Sequence, residues 1–305
     1  MGPNTTAAAN CSRARIGALR KALGKALKGS SATIVVVGSF GRLEGSKESD
    51  LDYFALNPSR EKIPQEPLEI ADGIVKKLRF RLPAKDGHFR ANQVFDEMLV
   101  QIGGDQDTNT NLSRRMLLFT ESRHLFNEEA YDIYISRLLG RYIQRHAAKN
   151  KLPLFLLNDL IRFYRTMLVD FDYKTRSEGK AWGLRNVKLS FSRKMLYFGG
   201  LVAVAESYEY PRADKIRIIS ELLKMAPAAR IEKTFGVTGG RALALYDEFL
   251  GRISSQSIRS GLEKVTSDNR RDSAMFSELR ELGREFSIEL VELLRGKYGS
   301  EHQIF

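Results

Sequence analysis

Two aspartates separated by one residue are the clearest chemical signal in the sequence. Asp50 and Asp52 stand on either side of Leu51 at the start of an alternating run. In an extended strand, residues two apart point to the same side, with their Cα atoms about 6.5–7 Å apart. Two carboxylates placed in this way can bind Mg²⁺, which proteins usually hold with one or two carboxylates and substrate phosphates. We therefore predict a metal site at Asp50 and Asp52, on a face shared with Phe54, and place Leu51, Tyr53 and Ala55 on the opposite face.

A glycine-serine turn precedes the aspartates. The β-branched residues 33–37 predict a buried strand, which then turns at Gly38 and Ser39. Glycine lets backbone N–H groups come close to a phosphate, and a helix beginning after the turn would add attraction for anions. Arg42 would either offset phosphate charge or pair with Glu44 to hold the loop. The turn is therefore a candidate phosphate-binding segment.

An isolated Asp-x-Asp pair is more often a solvent-facing feature of a strand, but here it closes one ordered run. That run resembles the signature of the nucleotidyltransferase superfamily, which has a polymerase-β-like fold. The signature is an apolar strand, Gly-Ser, a short helical turn that often carries Arg, and Asp-x-Asp on the next strand. The matching residues are Gly38, Ser39, Gly41, Arg42, Glu44, Ser49, Asp50 and Asp52. Within the superfamily the chain most resembles the bacterial nitrogen-signalling uridylyltransferase and its relatives.

The resemblance implies an α+β chain in two domains. It implies a nucleotidyltransferase domain with a short mixed sheet at 1–127, and an α-helical domain for substrate binding or interaction at 128–305. The implied reaction moves a nucleoside monophosphate from an NTP, such as ATP, to an acceptor and releases pyrophosphate. Asp50 and Asp52 would hold Mg²⁺, or Mn²⁺ in its place, for an in-line displacement. Gly38 and Ser39 would contact the β,γ-phosphates.

A third metal-binding carboxylate often arrives on a neighbouring strand in this superfamily. Asp86 is the nearest catalytic candidate, although the Asp86-Gly87 pair itself predicts a hairpin turn. Asp96 is the other candidate. The third position can also be absent, and the chain would then be a non-catalytic module that senses nucleotides.

The second half of the chain carries a weaker likeness. The segment that contains Gly183, Leu184, Arg185 and Asn186 resembles the Gly-Leu-Arg-Asp segment of the uridylyltransferase group, with Asn in place of Asp. The resemblance makes Arg185 and Lys188 candidates for contacts with the triphosphate or the acceptor. The alternative is that basic residues of this half pair with nearby aspartates in a structural network.

Periodicity predicts the remaining elements. Residues 12–28 read as a basic amphipathic helix, either packed on the sheet edge or bound to a membrane surface, with the former favoured. Residues 95–126 are expected to be helical apart from a break at Gly103 and Gly104. From 128 onward the chain is expected to be almost wholly helical, including one helix over 184–207.

Composition limits the classes of partner. The 305-residue chain has a net charge of +12 and a pI near 9.7, so it should attract RNA, DNA or nucleotides. It has no apolar run long enough to span a membrane, and residues 1–10 lack the pattern of a signal peptide. The single cysteine, Cys11, excludes an intrachain disulfide and favours a cytoplasmic setting.

The acceptor is left open by these patterns. A protein hydroxyl, an RNA 3′ end, a small molecule and another nucleotide all fit the superfamily. Two further roles share the motif, namely membership of a toxin–antitoxin or anti-phage pair and synthesis of a cyclic oligonucleotide. The patterns predict no oligomeric state.

Overall fold

The computed structural model describes residues 1–58, 65–83, 89–100, 102–143 and 148–299. The first elements along the chain are α1 (Pro3–Ala26), β1 (Thr33–Val36), α2 (Gly38–Gly41), β2 (Tyr53–Asn57), α3 (Glu66–Lys77), β3 (Asn92–Val94), α4 (Phe95–Val100), α5 (Asn109–Glu121), β4 (Arg123–Phe126) and α6 (Glu128–Tyr142). These are followed by α7 (Leu154–Arg176), α8 (Trp182–Lys188), a π-helical turn (Leu189–Arg193), α9 (Lys194–Ala205), α10 (Arg212–Lys224), α11 (Pro227–Phe235), a 3₁₀ turn (Gly236–Gly239), α12 (Gly240–Ser254), α13 (Gln256–Glu263) and α14 (Ala274–Tyr298).

The chain divides into two compact units. The helical unit comprises 1–6, 149–210 and 227–305, and the sheet unit comprises 7–148 and 211–226. The predicted boundary between residues 127 and 128 therefore falls inside the sheet unit. The physical reason is packing, since α6 lies on β1 and β4 while α10 packs on α5 and α6.

The sheet has four strands in the order β3-β2-β1-β4. β1 is antiparallel to both β2 and β4, and β2 is parallel to β3. The described chain is thus an α+β structure with a small mixed sheet, as the sequence predicts. All four residues of β1 are fully buried, which confirms the predicted buried strand.

The sheet unit builds one of its cores between α1 and the sheet. Apolar residues of α1, β1 and β2, with Ala71 and Val75 of α3, share a single cluster. Leu19 and Leu23 of α1 are completely buried in it. α1 is therefore packed against the sheet, as favoured from sequence, although it begins at Pro3, nine residues before its predicted start.

β4 corrects the sequence prediction. Residues Arg123–Phe126 form a strand, whereas the sequence was expected to remain helical to residue 126. β4 lies beside β1, with Ile34 opposite Phe126 and Val36 opposite Arg123. A strand of four residues is too short to show a clear alternating pattern. Its conformation is set by pairing with the edge of β1 that β2 does not occupy, a segment far away in sequence.

A π-helical turn divides the helix predicted over 184–207. It places Phe191 in the core of the helical unit, where its ring centroid lies 4.4 Å from that of Phe249 and 5.4 Å from that of Phe286. Gly283 leaves the space beside this ring, because a Cβ there would lie 3.3 Å from Phe191. The wider turn therefore serves aromatic packing that the local pattern does not reveal.

The first turn of α1 is held by a carboxylate of α12. Asp247 accepts hydrogen bonds from the backbone N–H of Thr5 at 2.7 Å and from the side-chain amide of Asn4 at 3.0 Å. Gly2 permits this approach, because a Cβ there would lie 2.3 Å from the carboxyl carbon. Burial opposes ionisation, but the hydrogen bonds from Thr5 and Asn4 outweigh it and lower the pKa of Asp247.

We expect Asp247→Asn to lower the free energy of unfolding by about 1 kcal/mol at pH 7, because a neutral amide oxygen accepts the hydrogen bonds of Thr5 and Asn4 more weakly than a carboxylate does. Because the folded-state pKa is depressed, the stabilisation is present above the unfolded-state pKa of about 3.9 and is lost as pH falls through the folded-state pKa. Urea unfolding at pH 7 and near pH 2 should show a difference between wild type and variant that shrinks in acid. A difference independent of pH would contradict the role of the charge.

Two glycines on the exposed side of α1 carry a second stability prediction. A Cβ at Gly17 or Gly24 would meet nothing within 4 Å. Alanine is favoured over glycine in an exposed helix by about 1 kcal/mol. Gly17→Ala/Gly24→Ala should therefore raise the free energy of unfolding by roughly 2 kcal/mol in urea titrations. Gly183→Ala is the contrasting control, since its Cβ would lie 2.6 Å from the carbonyl oxygen of Leu262.

Within the described ranges, every helix is too short or too polar to cross a membrane.

Candidate active site

The candidate site lies where β1 ends and β2 begins. Val36 pairs with Tyr53, and the N–H of Val37 donates to the carbonyl oxygen of Asp52 at 2.8 Å. The ladder therefore continues one residue beyond each strand. It sets Asp52 directly beside the residue that precedes Gly38, so segments fifteen residues apart in the chain meet at the turn.

Gly38 and Asp52 are in direct contact. Gly38 has a φ of +68°, a left-handed conformation that side chains disfavour, and a Cβ there would lie 2.5 Å from Oδ2 of Asp52. The Asp52 side chain is half-buried. The glycine thus provides both the sharp turn and the room for the carboxylate. The structure brings the predicted phosphate-binding turn and the predicted metal ligand together.

Asp50 lies two residues before Asp52, just ahead of β2. It forms an isolated bridge with Arg81, and the N–H of Leu51 donates to the carbonyl oxygen of Arg81 at 2.9 Å. Asp50 is exposed. The intervening Leu51 belongs to the same buried cluster as Tyr53 and Ala55, which confirms the predicted alternation of the two faces.

Arg42 is buried in a structural ion-pair network. Its Nε donates to Glu44 at 2.8 Å, and its Nη1 donates to Glu121 at the end of α5. The side chain of Arg42 is only 6% exposed, and those of Glu44 and Glu121 are 5% and 1% exposed. Of the two roles considered for Arg42, pairing with Glu44 is the one observed. Glu121 is a partner that sequence analysis missed.

Close backbone contacts hold the loop after the turn. A Cβ at Gly41 would lie 1.8 Å from the carbonyl oxygen of Glu121. The N–H of Gly45 donates to the hydroxyl of Ser12 at 2.9 Å, and the Nε of Arg123 donates to the carbonyl oxygen of Gly41 at 2.9 Å. α1, α5 and β4 therefore each contact the loop, so its shape depends on elements that are distant in sequence.

Ser39 occupies the first turn of α2. Its side chain is half-buried, and its carbonyl oxygen accepts from the N–H of Glu44 at 2.7 Å. The backbone hydrogen bond between Ser39 and Glu44 thus closes the loop that begins at the Gly38–Ser39 turn. A contact between the Ser39 hydroxyl and phosphate stays a prediction.

The third metal-binding carboxylate predicted from the sequence has two candidates, Asp86 and Asp96. Asp86 lies outside the described residues. Asp96 lies just beyond β3, whose Val94 pairs with Asn57 at the far end of β2. Asn57 is five residues beyond Asp52, about 16 Å along the strand. Asp96 is exposed and pairs with Arg137 at 2.8 Å. The structure thus separates Asp96 from the Asp50–Asp52 end of β2.

A polar network anchors the chain that follows the segment with Asp86. The N–H of Arg90 donates to the carbonyl oxygen of Tyr53, and both side chains bind the carboxylate of Asp72 in α3. Burial, and then the hydrogen bond to Asp72, raise the pKa of the Tyr53 hydroxyl. Tyr53 therefore stays protonated at neutral pH and acts as a hydrogen-bond donor.

Arg185 and Lys188 lie in the helical unit, on α8. They are three residues apart and partly buried, so they share a side of that helix. The alternative of structural ion pairs is observed for other residues of this half. Arg162 pairs with Asp159 at 2.8 Å, and Lys174 pairs with Asp170 at 2.8 Å. A nucleotide contact of Arg185 or Lys188 stays a prediction.

The donor set fits a metal held jointly by protein and substrate. In the part of the chain that the structure describes, no three His, Cys, Asp or Glu side chains are grouped to hold a metal ion. Asp50 and Asp52 offer two carboxylates, which is the number that Mg²⁺ commonly takes from protein when phosphates supply the remaining ligands. The space left by Gly38 accommodates the Asp52 carboxylate, so the turn and the ligands are mutually compatible.

Gly38→Ala should uncouple the turn from the aspartate. The change forces a side chain into a left-handed conformation, at about 1–2 kcal/mol, and drives the Asp52 carboxylate from its position. We expect loss of Mg²⁺-dependent NTP binding in isothermal titration. Gly29→Ala is the matched control, because Gly29 also has a positive φ, of +86°, but its Cβ would meet nothing. Equal binding losses in both variants would assign the effect to instability alone.

Arg81 is a further polar residue at this end of β2 that sequence analysis did not single out. Its backbone bridges Asp50, and its exposed guanidinium pairs with Glu48. No local pattern marks it, because the bridge joins segments about thirty residues apart.

A search of the sequence against protein-family models and curated proteins finds no match to either.

Proposed function

We propose that the chain is a nucleotidyltransferase and that its sheet unit has the nucleotidyltransferase fold. The observation that carries the proposal is the contact between Gly38 and Asp52. A Gly-Ser turn after a buried strand meets Asp52 of the Asp-x-Asp pair just before the next strand, where a nucleotide's phosphates and their metal could both be bound.

Each residue has a distinct part in the proposed reaction. Asp50 and Asp52 would hold Mg²⁺, which offsets the negative charge of the triphosphate. The backbone at Gly38 and the hydroxyl of Ser39 would orient the β,γ-phosphates. Arg42 keeps the loop in shape through its two carboxylates. Positioning and charge stabilisation are the main demands of phosphoryl-type transfer, so the site needs no covalent nucleophile.

The bond changes are those of an in-line displacement. An acceptor hydroxyl oxygen bonds to the α-phosphorus of the NTP as the bond from that phosphorus to the bridging oxygen breaks. Pyrophosphate leaves, and the hydroxyl proton passes to solvent. Arg185 and Lys188 are proposed to contact the triphosphate or the acceptor, and Asp86 is proposed as the third carboxylate.

Label transfer tests the proposal directly. The full chain is incubated with Mg²⁺ and each of the four α-labelled NTPs, separately with total RNA, with extract protein and without any acceptor. A labelled product identifies the acceptor class by its mobility, and a cyclic product in the third arm identifies oligonucleotide synthesis. The proposal would be overturned if no arm showed either label transfer or NTP binding.

A nucleotide-sensing module is the second candidate. It is favoured by the position of Asp96, which follows β3 beyond the far end of β2 and so lies away from Asp50 and Asp52. This role predicts NTP binding that requires Asp50 and Asp52 but yields no labelled product. Asp86→Asn separates the two functions, because it should abolish transfer in an enzyme that uses this third ligand and leave binding by a sensor unchanged.

A further inference from the structure

The start of the chain is strongly asymmetric in charge. It contains no Asp or Glu before Glu44, while Lys and Arg recur from Arg13 to Lys28. Arg13, Lys21, Lys25 and Lys28 are exposed, and Arg20 is half-buried. Among the described residues, none of these five side chains is paired with a carboxylate at ion-pair distance. The net charge of the molecule is therefore locally concentrated here.

These cations are presented on the outside of the helix. At 100° per residue, Lys21 and Lys25 fall on the side of the helix opposite the buried Leu19 and Leu23, whereas Arg13 and Arg20 lie on the flank nearer the core. Gly17 and Gly24 lie between them, with open space where a Cβ would be. The basic side chains thus flank a smooth strip of helix backbone that a ligand could approach closely.

Arg123 on β4 extends the same surface. Arg20 donates to the carbonyl oxygen of His124 at 3.0 Å, and Arg123 donates to that of Gly41 at 2.9 Å. Both guanidinium groups are therefore fixed by neutral acceptors and keep their full charge. Burial lowers the pKa of Arg123, and repulsion from Arg20 and Arg13 lowers it further, as expected for crowded like charges.

Few acids oppose this group of charges. Glu128 interacts with Arg20 and lies 3.6 Å from His124, but its side chain is 71% exposed. Asp132 is engaged by Lys224 at 2.8 Å. Exposed ion pairs of this kind have little interaction energy, so Glu128 does not offset the cations, and the surface keeps a net positive potential. We define the basic face by its six cations, Arg13, Arg20, Lys21, Lys25, Lys28 and Arg123.

We propose that the basic face binds the phosphodiester backbone of a nucleic acid. From Arg13 to Lys28 it extends roughly 22 Å, at 1.5 Å per helical residue, which is enough to contact several successive phosphates. Lysine and arginine bind phosphates without reading bases. The basic face consists only of lysine and arginine side chains and has no aromatic ring on which a base could stack. Binding is therefore expected to be independent of nucleic-acid sequence.

A membrane surface fits the same charges less well. Helices that bind membranes insert an apolar face into the lipid and leave the basic face towards water. The apolar residues of α1 are buried in the sheet-unit core, so the surface that faces outward has only cations, small residues and polar groups. The occupant expected from charge complementarity is therefore a polyanion that needs no apolar contact.

The test compares two variants that remove equal charge. Lys21→Gln/Lys25→Gln/Lys28→Gln alters the basic face, and Lys76→Gln/Lys77→Gln/Lys151→Gln alters exposed lysines outside it. Fluorescence anisotropy is measured with a single-stranded RNA of about 20 nucleotides and with DNA of the same length. Circular dichroism verifies folding. Flotation with anionic phospholipid vesicles is the competing arm.

We expect the basic-face variant to bind RNA roughly 10- to 50-fold more weakly at about 0.15 M salt, because three phosphate contacts are lost. The slope of log K against log salt concentration should fall by about 2, and the control variant should match wild type. Similar losses in both variants, no RNA binding by wild type, or binding to vesicles but not to RNA would overturn the proposal. Its outcome is independent of the proposed transfer reaction.

Discussion

Asp50→Asn/Asp52→Asn should abolish nucleotidyl transfer while the protein stays folded. Asparagine keeps the size of each side chain but removes the two negative charges that would hold Mg²⁺. Loss of metal-supported charge stabilisation worth roughly 4 kcal/mol corresponds to a decrease in rate of about 10³-fold. Asp50 is exposed and Asp52 half-buried, so the variant should unfold near the wild-type urea midpoint.

Asp96→Asn is the matched control for this prediction. It removes an equivalent carboxylate in the same unit, beyond the far end of β2, where Asp96 pairs with Arg137 on the surface. Its transfer rate should equal that of wild type. The decisive measurement is the single-turnover rate with α-labelled NTP for both variants. If Asp50→Asn/Asp52→Asn retained the wild-type rate, the pair would not be the metal site.

Arg42→Met should be among the most destabilising substitutions in the sheet unit. It removes a guanidinium from two carboxylates, Glu44 and Glu121, that are almost fully buried. Breaking one buried ion pair by removing a partner costs about 3–5 kcal/mol, because a buried charge loses its compensation. The loop between Gly38 and Gly45 would lose its tie to α5, so NTP binding should weaken together with stability.

Urea unfolding with Arg81→Met as control measures this effect. Arg81 pairs with Glu48 at the surface with 58% of its side chain exposed, so its loss should cost less than about 1 kcal/mol. A direct role of Arg42 on phosphate makes the opposite prediction. In that case Arg42→Met would weaken NTP binding and leave the free energy of unfolding near that of wild type.

Several features of the site follow from the sequence by itself. The buried strand β1, the turn at Gly38 and the alternation around Leu51 are all observed as predicted. These features depend on backbone geometry within a few residues, because a strand alternates its side chains and a left-handed turn favours glycine. Short-range rules are therefore sufficient to predict the turn and the shared face of Leu51, Tyr53 and Ala55.

The tertiary structure alone decided the rest. It made a strand of Arg123–Phe126, joined Arg42 to Glu121 across 79 residues, and placed α6 with the sheet. It also set Asp96 at the opposite end of β2 from Asp52. Each of these outcomes is a pairing between distant segments, governed by packing and by the available edge of β1. A local pattern has no means of expressing such pairings, so composition and periodicity leave them open.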